Sequence, residues 1–409
     1  MPPITAILIG AGQRGTIYCH HALQHPDQLQ IIGVAEPDAT RRKDFQQAHG
    51  IADENCFDTW ENVFTKEKWA DVAIICTQDD MHYAPGMAAI DRGYDILLEK
   101  PISPSPQECE DMAKAAKEKN VKVVVCHVLR YTNFFSTIKR VIDSGEIGKV
   151  VTMVHNENVG DYHYSHSYVR GNWSKSETSS PMILAKSCHD ADIMQWLIGK
   201  PCVRLSSFGS LTYFTGDNCP KDAPPRCTDG CKENCTYDAR KLYLNNDNEW
   251  FRSVAVGHAN PTEEEVEQAL KTGPYGRCVY QCDNNVVDHQ VVSMEFEDGI
   301  TAVFTMSAFT PEIYRSIKIM GTKGQIEASE IDNVVTVTDF VSRTGKEVAL
   351  GWADGGHGGG DTGIMNSFIG YINGEASDAI SEIGISAKNH MICFAAEESR
   401  LNNGAVIEL

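Results

Sequence analysis

A glycine-rich turn directly behind the first apolar segment is the feature that most constrains the fold. Residues 4–9 (ITAILI) form a short apolar run, which predicts a buried strand, and residues 10–15 (GAGQRG) follow it at once. A helix predicted over 16–23 comes next, so the turn joins a strand to a helix. In that arrangement the backbone N–H groups of the turn and the helix N-terminus bind a pyrophosphate.

A second predicted strand, over 29–35, ends at an acidic residue, about 20 residues beyond the glycines. A carboxylate at that point accepts hydrogen bonds from the ribose hydroxyls of NAD and repels the 2′-phosphate of NADP. Arg41 and Arg42 lie nearby and suit a phosphate, so the sequence favours NAD and leaves NADP as the less favoured cofactor. The predicted cofactor contacts in this segment are Gly10, Gly12, Gln13, Arg14, Gly15 and Glu36.

Length and charge predict a two-domain protein that acts on small molecules. The 409 residues exceed what one hydrophobic core usually serves. The net charge of −20 argues against nucleic acids and anionic membranes as partners, since both favour basic proteins. No apolar run approaches the roughly 18 residues of a membrane span. No basic segment with a cleavable apolar stretch opens the chain, so we expect a cytoplasmic protein.

Strand and helix patterns divide the chain into two parts. They alternate through residues 1–128, which predicts an α/β domain with a doubly wound parallel sheet of the Rossmann type. Residues 129–409 are expected to form an α+β domain whose strands, joined by hairpin-like turns, make a large, mostly antiparallel sheet. Within it, residues from about 207 to 277 form a polar, cysteine-rich insertion.

Three motifs in fixed order resemble a known family. They are the turn at residues 10–15, the sequence Glu-Lys-Pro at residues 99–101, and His-Asp-Ala-Asp at residues 189–192 in a helix predicted over 183–198. Together they resemble the glucose–fructose oxidoreductase, inositol dehydrogenase and rhizopine catabolism (Gfo/Idh/MocA) family. The resemblance covers most of the chain outside the insertion. It implies bound NAD(H) or NADP(H), hydride transfer on a sugar, polyol or related carbohydrate, and an open-faced sheet used to form a homodimer or homotetramer.

The resemblance also assigns candidate catalytic residues. Lys100 follows a predicted parallel strand, where it polarises a carbinol as the ammonium or deprotonates it as the neutral amine; a surface lysine paired with Glu99 is the alternative. His189 is a general acid or base, or a structural histidine. The family helix commonly carries Asp four residues before this histidine, and here that position is Ala185. Lys186 next to it assists Lys100, contacts the substrate, or pairs with a local carboxylate.

Further candidates surround these three. Thr77 and His82 resemble a cofactor-lining pattern of the family, and Glu99 and Lys100 join them; for His82 a polar residue at a helix N-terminus is the alternative. An aromatic and polar stretch from residue 157 to 173 has the composition of a carbohydrate site, or of an interface loop. The predicted substrate contacts are His163, Arg170, Trp173 and Asp192, with helix support as the alternative for Asp192.

The insertion contains an unusual run of cysteines. The chain has 14 cysteines in total, and most of those in apolar strands are expected to be small buried hydrophobic residues. The run is compatible with a structural zinc site, with a disulfide, or with free thiols, although it lacks the two Cys-x2-Cys pairs of a clear zinc signature. Its members are Cys219, Cys227, Cys231 and Cys235.

Three functions remain to be distinguished. The first is an NAD-dependent oxidoreductase that transfers a hydride between the nicotinamide and a sugar, sugar acid or cyclitol. The second is an NAD-dependent glycoside hydrolase or lyase that oxidises its sugar transiently, a possibility kept open by the Ala185–Lys186 pair. The third is a regulator that binds the cofactor without catalysis, against which Lys100 and His189 weigh, since a sensor needs no pair for proton transfer.

Overall fold

The fold contains two β-sheets, one in each half of the chain. The computed structural model of the protein describes residues 2–245, 249–351 and 355–409. Within these residues no helix has both the length and the apolar character needed to cross a membrane.

The first sheet is the parallel sheet that the sequence predicts. Its order is β3-β2-β1-β4-β5-β6, and every neighbouring pair is parallel. The central strand β4 is buried along its whole length, because helices cover both faces of such a sheet. The strands are β1 (Ile4–Ile9), β2 (Leu29–Ala35), β3 (Cys56–Phe57), β4 (Val72–Ile75), β5 (Asp95–Leu98) and β6 (Val123–Val125).

Helices connect these strands in the order that a doubly wound fold requires. They are α1 (Gln13–Gln24), α2 (Ala39–His49), α3 (Trp60–Val63), α4 (Tyr83–Asp91) and α5 (Pro106–Lys119). The start of α5 follows the expected chemistry, since Ser105 accepts a hydrogen bond from the Glu108 N–H and Pro106 occupies the first turn. Lys100 and Pro101, between β5 and α5, are joined by a cis peptide bond.

The second sheet has nine strands and is mostly antiparallel. Its order is β14-β13-β12-β11-β7-β10-β9-β8-β15, and β7 pairs with β10 in parallel. The strands are β7 (Val150–Asn158), β8 (Cys202–Ser210), β9 (His289–Phe296), β10 (Thr301–Ser307), β11 (Tyr314–Gly321), β12 (Gly324–Ser329), β13 (Val334–Asp339), β14 (Gly345–Val348) and β15 (Ile407–Glu408).

One face of this second sheet is buried and the other is open. Residues alternate between buried and more exposed along β11, as expected for a strand with one face against the core. Glu157 on β7 and Arg315 on β11 both point to the buried face. On the opposite face the side chains of Val154, Phe208 and Val291 are exposed. The predicted open-faced sheet is therefore present.

Helices of the second half cover the buried face and also return to the first sheet. They are α6 (Asn133–Asp143), α7 (Asp161–Tyr164), α8 (Met182–Ala185), α9 (Cys188–Ile198), α10 (Ala239–Tyr243), α11 (Glu249–Val256), α12 (Glu263–Thr272), α13 (Gly360–Ile372) and α14 (Ile383–Leu401). A π-helix, Ser165–Arg170, continues α7. Helix α14 packs against α5 and β6, so the end of the chain contributes to the layer around the Rossmann sheet.

Two sequence predictions need correction here. The helix predicted as one element over 183–198 is divided into α8 and α9, with Lys186 and Ser187 between them. The insertion begins later than residue 207, because β8 continues to Ser210 and pairs with β9 along that length. The described part of the insertion has a small hydrophobic core of its own, which includes Tyr243, Phe251 and Leu270.

Candidate active site

The glycine turn after β1 has the backbone geometry that the sequence predicts. Gly10 has a positive φ of 91°, and a Cβ there would lie 2.6 Å from the carbonyl oxygen of Cys76. A Cβ on Gly15 would lie 2.3 Å from the carbonyl oxygen of Gly10. Gly12 differs, because nothing lies within 4 Å of the Cβ position. The first and last glycines therefore hold the turn against the sheet, while the middle one faces open space.

Glu36 lies at the end of β2, beside this turn. Its Oε2 accepts a hydrogen bond from the Ala11 N–H at 2.9 Å, and its Oε1 accepts one from the Asp38 N–H at 3.0 Å. The guanidinium of Arg41 also lies 2.8 Å from Oε1. Arg42 donates to the backbone oxygen of Glu36. Both arginines are therefore engaged by the segment that carries the acid.

Arg14 links the turn to two acidic residues from distant parts of the chain. Its Nε lies 3.0 Å from Glu99 Oε1, and its Nη2 lies 2.6 Å from Asp361 Oδ1 on α13. Tyr18 also donates to Glu99, at 2.9 Å. Although burial opposes it, the charges of Arg14 and Lys100 lower the pKa of Glu99. Glu99 is thus a buried carboxylate that positions Arg14 beside the turn.

Thr77 and His82 brace the loop that follows β4. The two ring nitrogens of His82 lie 2.6 Å from the carbonyl oxygen of Pro101 and 3.2 Å from that of Thr77. The Thr77 hydroxyl donates to the carbonyl oxygen of Met81 at 2.9 Å. His82 therefore joins the loops after β4 and β5, at the carboxyl edge of the sheet where doubly wound folds bind ligands.

Lys100 reaches from the end of β5 to the second half of the chain. Its Nζ donates a 2.8 Å hydrogen bond to the carbonyl oxygen of Ala185. That carbonyl is free of a helical partner because α8 ends at Ala185. The Nζ also lies 5.9 Å from the centre of the Trp173 ring. Ala185, four residues before His189, thus supplies a backbone acceptor for the candidate catalytic lysine.

His189, in the first turn of α9, is a neutral imidazole close to the Lys100 ammonium. Burial, together with Lys100 and His127, lowers the pKa of His189 well below its usual range. Its Nδ1 is buried and has no hydrogen-bond partner in the described part of the chain. The ring packs edge-on against His127, with 5.7 Å between ring centres. The ring is therefore neutral and keeps a lone pair, although its lowered pKa makes it a weak base.

Lys186 belongs to a buried ion cluster that the sequence did not reveal. Its Nζ lies 3.4 Å from Glu157 Oε1, and Arg315 Nη2 lies 2.5 Å from Glu157 Oε2. Arg315 also pairs with Asp190 at 2.8 Å, and His155 contacts the same Asp190 oxygen at 2.8 Å. Burial raises the pKa of Glu157, and Arg315 and Lys186 oppose that rise. The cluster combines two cations with two carboxylates behind the site.

His163 and Trp173, from the aromatic stretch, lie near this group. Burial, with Lys186 and His166, lowers the pKa of His163 well below its usual range. Trp173 packs against Lys100 as described, and its Nε1 donates to Asp79 Oδ1 at 3.2 Å. Asp79 follows β4, so this bond joins the two halves of the chain. Both residues are therefore brought to the region of Lys100 and Lys186.

Two other predicted substrate contacts have different surroundings. Arg170 is buried, and its guanidinium donates to the carbonyl oxygens of Arg277 and Tyr237, at 2.8 and 2.7 Å. Asp192 is fully buried in a bidentate pair with Arg130, with bonds of 2.7 and 2.6 Å, and accepts from Asn389. Arg170 thus bonds to backbone groups of the insertion, and Asp192 links α9 to Arg130. These contacts engage both side chains away from the region of Lys100.

The predicted zinc site is not supported. No group of three or more His, Cys, Asp or Glu side chains in the described residues is arranged to hold a metal ion. All 14 cysteines are free thiols. The sulfurs have separate partners: Cys219 accepts from Gln281, Cys227 from Arg170, and Cys235 from the Tyr237 N–H. The insertion is organised by these contacts and by its own hydrophobic core.

Several site residues were missed by sequence reasoning because the fold brings them from far along the chain. Glu157 and Arg315 are cross-strand neighbours on β7 and β11, so their pairing depends on strand register. Asp361 pairs with Arg14, which precedes it by 347 residues. His357 contacts Asp361 at 3.0 Å and is one of the causes of the low pKa of both His163 and His189. Only alternation along the strands hinted at the inward position of Glu157 and Arg315.

Comparisons with known proteins agree with this architecture. The model of the oxidoreductase family with an NAD-binding Rossmann fold, GFO_IDH_MocA, matches residues 4–127. The model of the C-terminal alpha/beta domain of the same oxidoreductase family matches residues 139–347. Together they span well over half of the chain.

Individual relatives are distant. The oxidoreductase YteT of Bacillus subtilis strain 168 is 26% identical over 367 residues, which is 83% of this chain and 82% of YteT. The scyllo-inositol 2-dehydrogenase (NADP(+)) IolW of the same organism is 26% identical over 200 residues, 47% of this chain and 51% of IolW. The solved WlbA dehydrogenase of Bordetella pertussis, in complex with NADH and UDP-GlcNAcA, superposes with a TM-score of 0.69 at 15% identity and covers 100% of this chain and 98% of WlbA.

Proposed function

Since the chain belongs to the Gfo/Idh/MocA oxidoreductase family, we propose that it is an NAD-dependent dehydrogenase that oxidises a CH–OH group of a sugar, sugar acid or cyclitol. The observation that carries the proposal is the meeting of Lys100, at the end of β5, with the helix pair that presents His189. A cation and a neutral imidazole next to each other suit proton transfer from a hydroxyl group.

The residues of the glycine turn fit a dinucleotide. The open space at Gly12 leaves room for a close approach to the backbone, and the N-terminus of α1 follows directly. Glu36 would hold the ribose of NAD, and its negative charge, already paired with Arg41, disfavours the 2′-phosphate of NADP. When bound, the nicotinamide supplies the hydride acceptor. Glu99 and Arg14 support the turn from behind.

In this proposal Lys100 and His189 divide the proton chemistry. The Lys100 ammonium donates one hydrogen bond to Ala185, which leaves two N–H groups for the substrate hydroxyl. It stabilises the negative charge that develops on the hydroxyl oxygen as the C–H bond breaks. Burial and Lys100 lower the pKa of His189, so its ring is neutral near pH 7 and keeps a lone pair for the hydroxyl proton. In the reductive direction the same groups return the proton.

A carbohydrate substrate is supported by the walls around Lys100. The Trp173 face suits the C–H surface of a sugar ring, and the neutral imidazole of His163 suits its hydroxyl groups. IolW is named for scyllo-inositol, and WlbA was solved with a nucleotide sugar acid. Carbohydrates of these classes are therefore the first compounds to test. The exposed sheet face is expected to pair with another copy, as a dimer or tetramer.

The test is incubation of the purified protein with NAD or NADP and a panel of sugars, sugar acids, cyclitols and aryl glycosides, followed at the NADH absorbance band. We expect NADH to accumulate with a free carbohydrate, and Lys100→Met to reduce kcat at least a hundredfold. Lys271→Met, on the exposed face of α12, is the matched control and should retain wild-type kcat. Release of aglycone without net NADH would replace the dehydrogenase by a glycosidase that recycles its cofactor. Cofactor binding without turnover of any compound would favour a regulator.

A further inference from the structure

The break between α8 and α9 places Lys186 next in the chain to the carbonyl group that Lys100 contacts. Lys100 bonds to the carbonyl oxygen of Ala185, and Lys186 is the next residue along the chain. A continuous helix over 183–198 would have used that carbonyl in its own hydrogen-bond ladder. The interruption therefore frees an acceptor for one lysine and leaves the other at the start of the gap between the helices.

Lys186 keeps N–H groups for a ligand. Its side chain is 15% exposed, so it is shielded but not enclosed. Its carboxylate partner, Glu157, lies at 3.4 Å and is also held by Arg315 at 2.5 Å. An ammonium has three N–H groups, and one ion pair at 3.4 Å does not occupy all of them.

The charges at the site are arranged with the cations in front. The side chain of Glu157 is fully buried and that of Asp361 is 5% exposed, so these acids lie behind the surface. Lys100 and Lys186 are more accessible than these acids. The two lysines are therefore the charged groups that an anion entering the cleft would meet first.

The neighbouring imidazoles add no charge to the site. Burial together with Lys186 lowers the pKa of His163, and burial together with Lys100 lowers the pKa of His189, so both rings are neutral near pH 7. The His163 N–H is already donated to the carbonyl oxygen of Val159 at 3.3 Å. The charge-assisted hydrogen bonds to an oxyanion beside Lys186 therefore come from its ammonium.

We propose that the substrate of this enzyme carries a carboxylate, which Lys186 binds while Lys100 contacts the reacting hydroxyl group. The inference rests on the proposed dehydrogenase function and narrows its substrate class to sugar acids, such as hexuronates and aldonates. Lys186, which follows the residue whose carbonyl holds Lys100, thus acts as the determinant of specificity. A carboxylate forms a pair of charge-assisted bonds there that a neutral sugar lacks.

The experiment compares hexuronates and aldonates with the parent aldoses and alditols of the same configuration. For wild type we expect kcat/KM for the best acid to exceed that of its neutral counterpart at least tenfold. Lys186→Met should lower kcat/KM for the acid at least tenfold, chiefly by raising KM. The kcat/KM for the acid should then be close to that for its neutral counterpart. Lys186→Arg should retain most of the preference because it keeps the charge.

Binding is measured separately from turnover. Each acid is titrated by calorimetry into the protein with NADH, where the oxidation cannot proceed, and Lys186→Met should weaken binding at least tenfold while thermal melting verifies that the variant folds. Lys271→Met serves as the control and should bind as wild type does. The carboxylate site would be refuted if the wild type preferred the neutral sugar, or if Lys186→Met lowered kcat/KM equally for both substrates. Neither result would contradict the proposed dehydrogenase activity. Absence of turnover with every compound would instead count against the dehydrogenase itself.

Discussion

Replacing Arg315 with methionine removes the cation that holds two buried carboxylates. Arg315 is 7% exposed and lies 2.5 Å from Glu157 and 2.8 Å from Asp190. Although burial opposes it, these two acids raise the pKa of Arg315, so it is charged in the folded protein at every pH of interest. Methionine fills a similar volume without charge. Glu157 is then left with Lys186 at 3.4 Å as its remaining cation.

The size of the effect follows from the cost of an uncompensated buried charge. Removing one partner of a buried ion pair typically destabilises a protein by about 3–5 kcal/mol, because the other charge stays desolvated. Since Asp190 keeps its contact with His155, most of the cost falls on Glu157. We therefore expect Arg315→Met to lower the free energy of unfolding by about 3–5 kcal/mol at pH 8. An exposed pair such as Lys271 with Glu267 is worth less than about 1 kcal/mol.

The loss should depend on pH in a defined direction. Burial already raises the pKa of Glu157 in the wild type, against the opposing charge of Arg315. Without Arg315 the folded-state pKa rises further above the unfolded value of about 4.3. When the pKa of a carboxyl group is higher in the folded than in the unfolded state, the folded state holds the proton longer. The free energy of unfolding then falls as pH rises above the unfolded pKa. The difference between wild type and Arg315→Met should therefore be smaller at pH 5 than at pH 8.

Urea unfolding followed by tryptophan fluorescence at the two pH values measures this difference, with Lys271→Met as the control. A second comparison uses the double variant Glu157→Gln/Arg315→Met, in which the stranded carboxylate is neutral. It should be more stable than Arg315→Met alone at pH 8. The reasoning is refuted if Arg315→Met costs less than about 1 kcal/mol, or if its cost is the same at pH 5 and pH 8.

Three further predictions concern the cofactor site and the open sheet. Gly15→Ala should lower both the melting temperature and the affinity for NADH, because its Cβ would lie 2.3 Å from the Gly10 carbonyl oxygen. The Cβ of Gly12→Ala meets no protein atom within 4 Å, so this variant should lower only the affinity, which is measured by NADH fluorescence titration. Glu36→Gln removes the charge that repels a 2′-phosphate, so the NADP-to-NAD ratio of kcat/KM should rise at least tenfold in steady-state assays. Val291→Asp, on the open face of β9, should reduce the molar mass measured by light scattering to that of the monomer without loss of helical circular dichroism.

Local patterns were sufficient to predict the first half of the fold. A strand, a glycine turn and a helix in sequence determine the geometry at residues 10–15, and the end of each apolar strand marks the edge at which Lys100 and His82 lie. The hairpin-like turns between the later strands likewise predict a mostly antiparallel sheet. These features depend on residues that are close together in the chain, and for that reason a single sequence contains them.

The ion cluster depends on information of another kind. Glu157 and Arg315 face each other because β7 and β11 pair in one register, and shifting that register by one residue would turn Arg315 to the open face. The break after Ala185 is equally hidden, since residues 183–198 are compatible with one helix. Tertiary packing decides such points, so Lys186 could be named as a candidate while its partners could not.

Arg170 shows that composition alone does not determine where a side chain lies. The stretch from residue 157 to 173 is rich in aromatic and polar residues, and within it His163 lies near Lys186 and Trp173 lies near Lys100. Arg170 lies on the same stretch, but the π-helix turns it toward the insertion, where it bonds to Tyr237 and Arg277. One segment therefore forms a wall of the candidate site on one side and anchors the insertion on the other. A change in the packing of the insertion would move His163 through this shared backbone, which makes the insertion part of the support of the site.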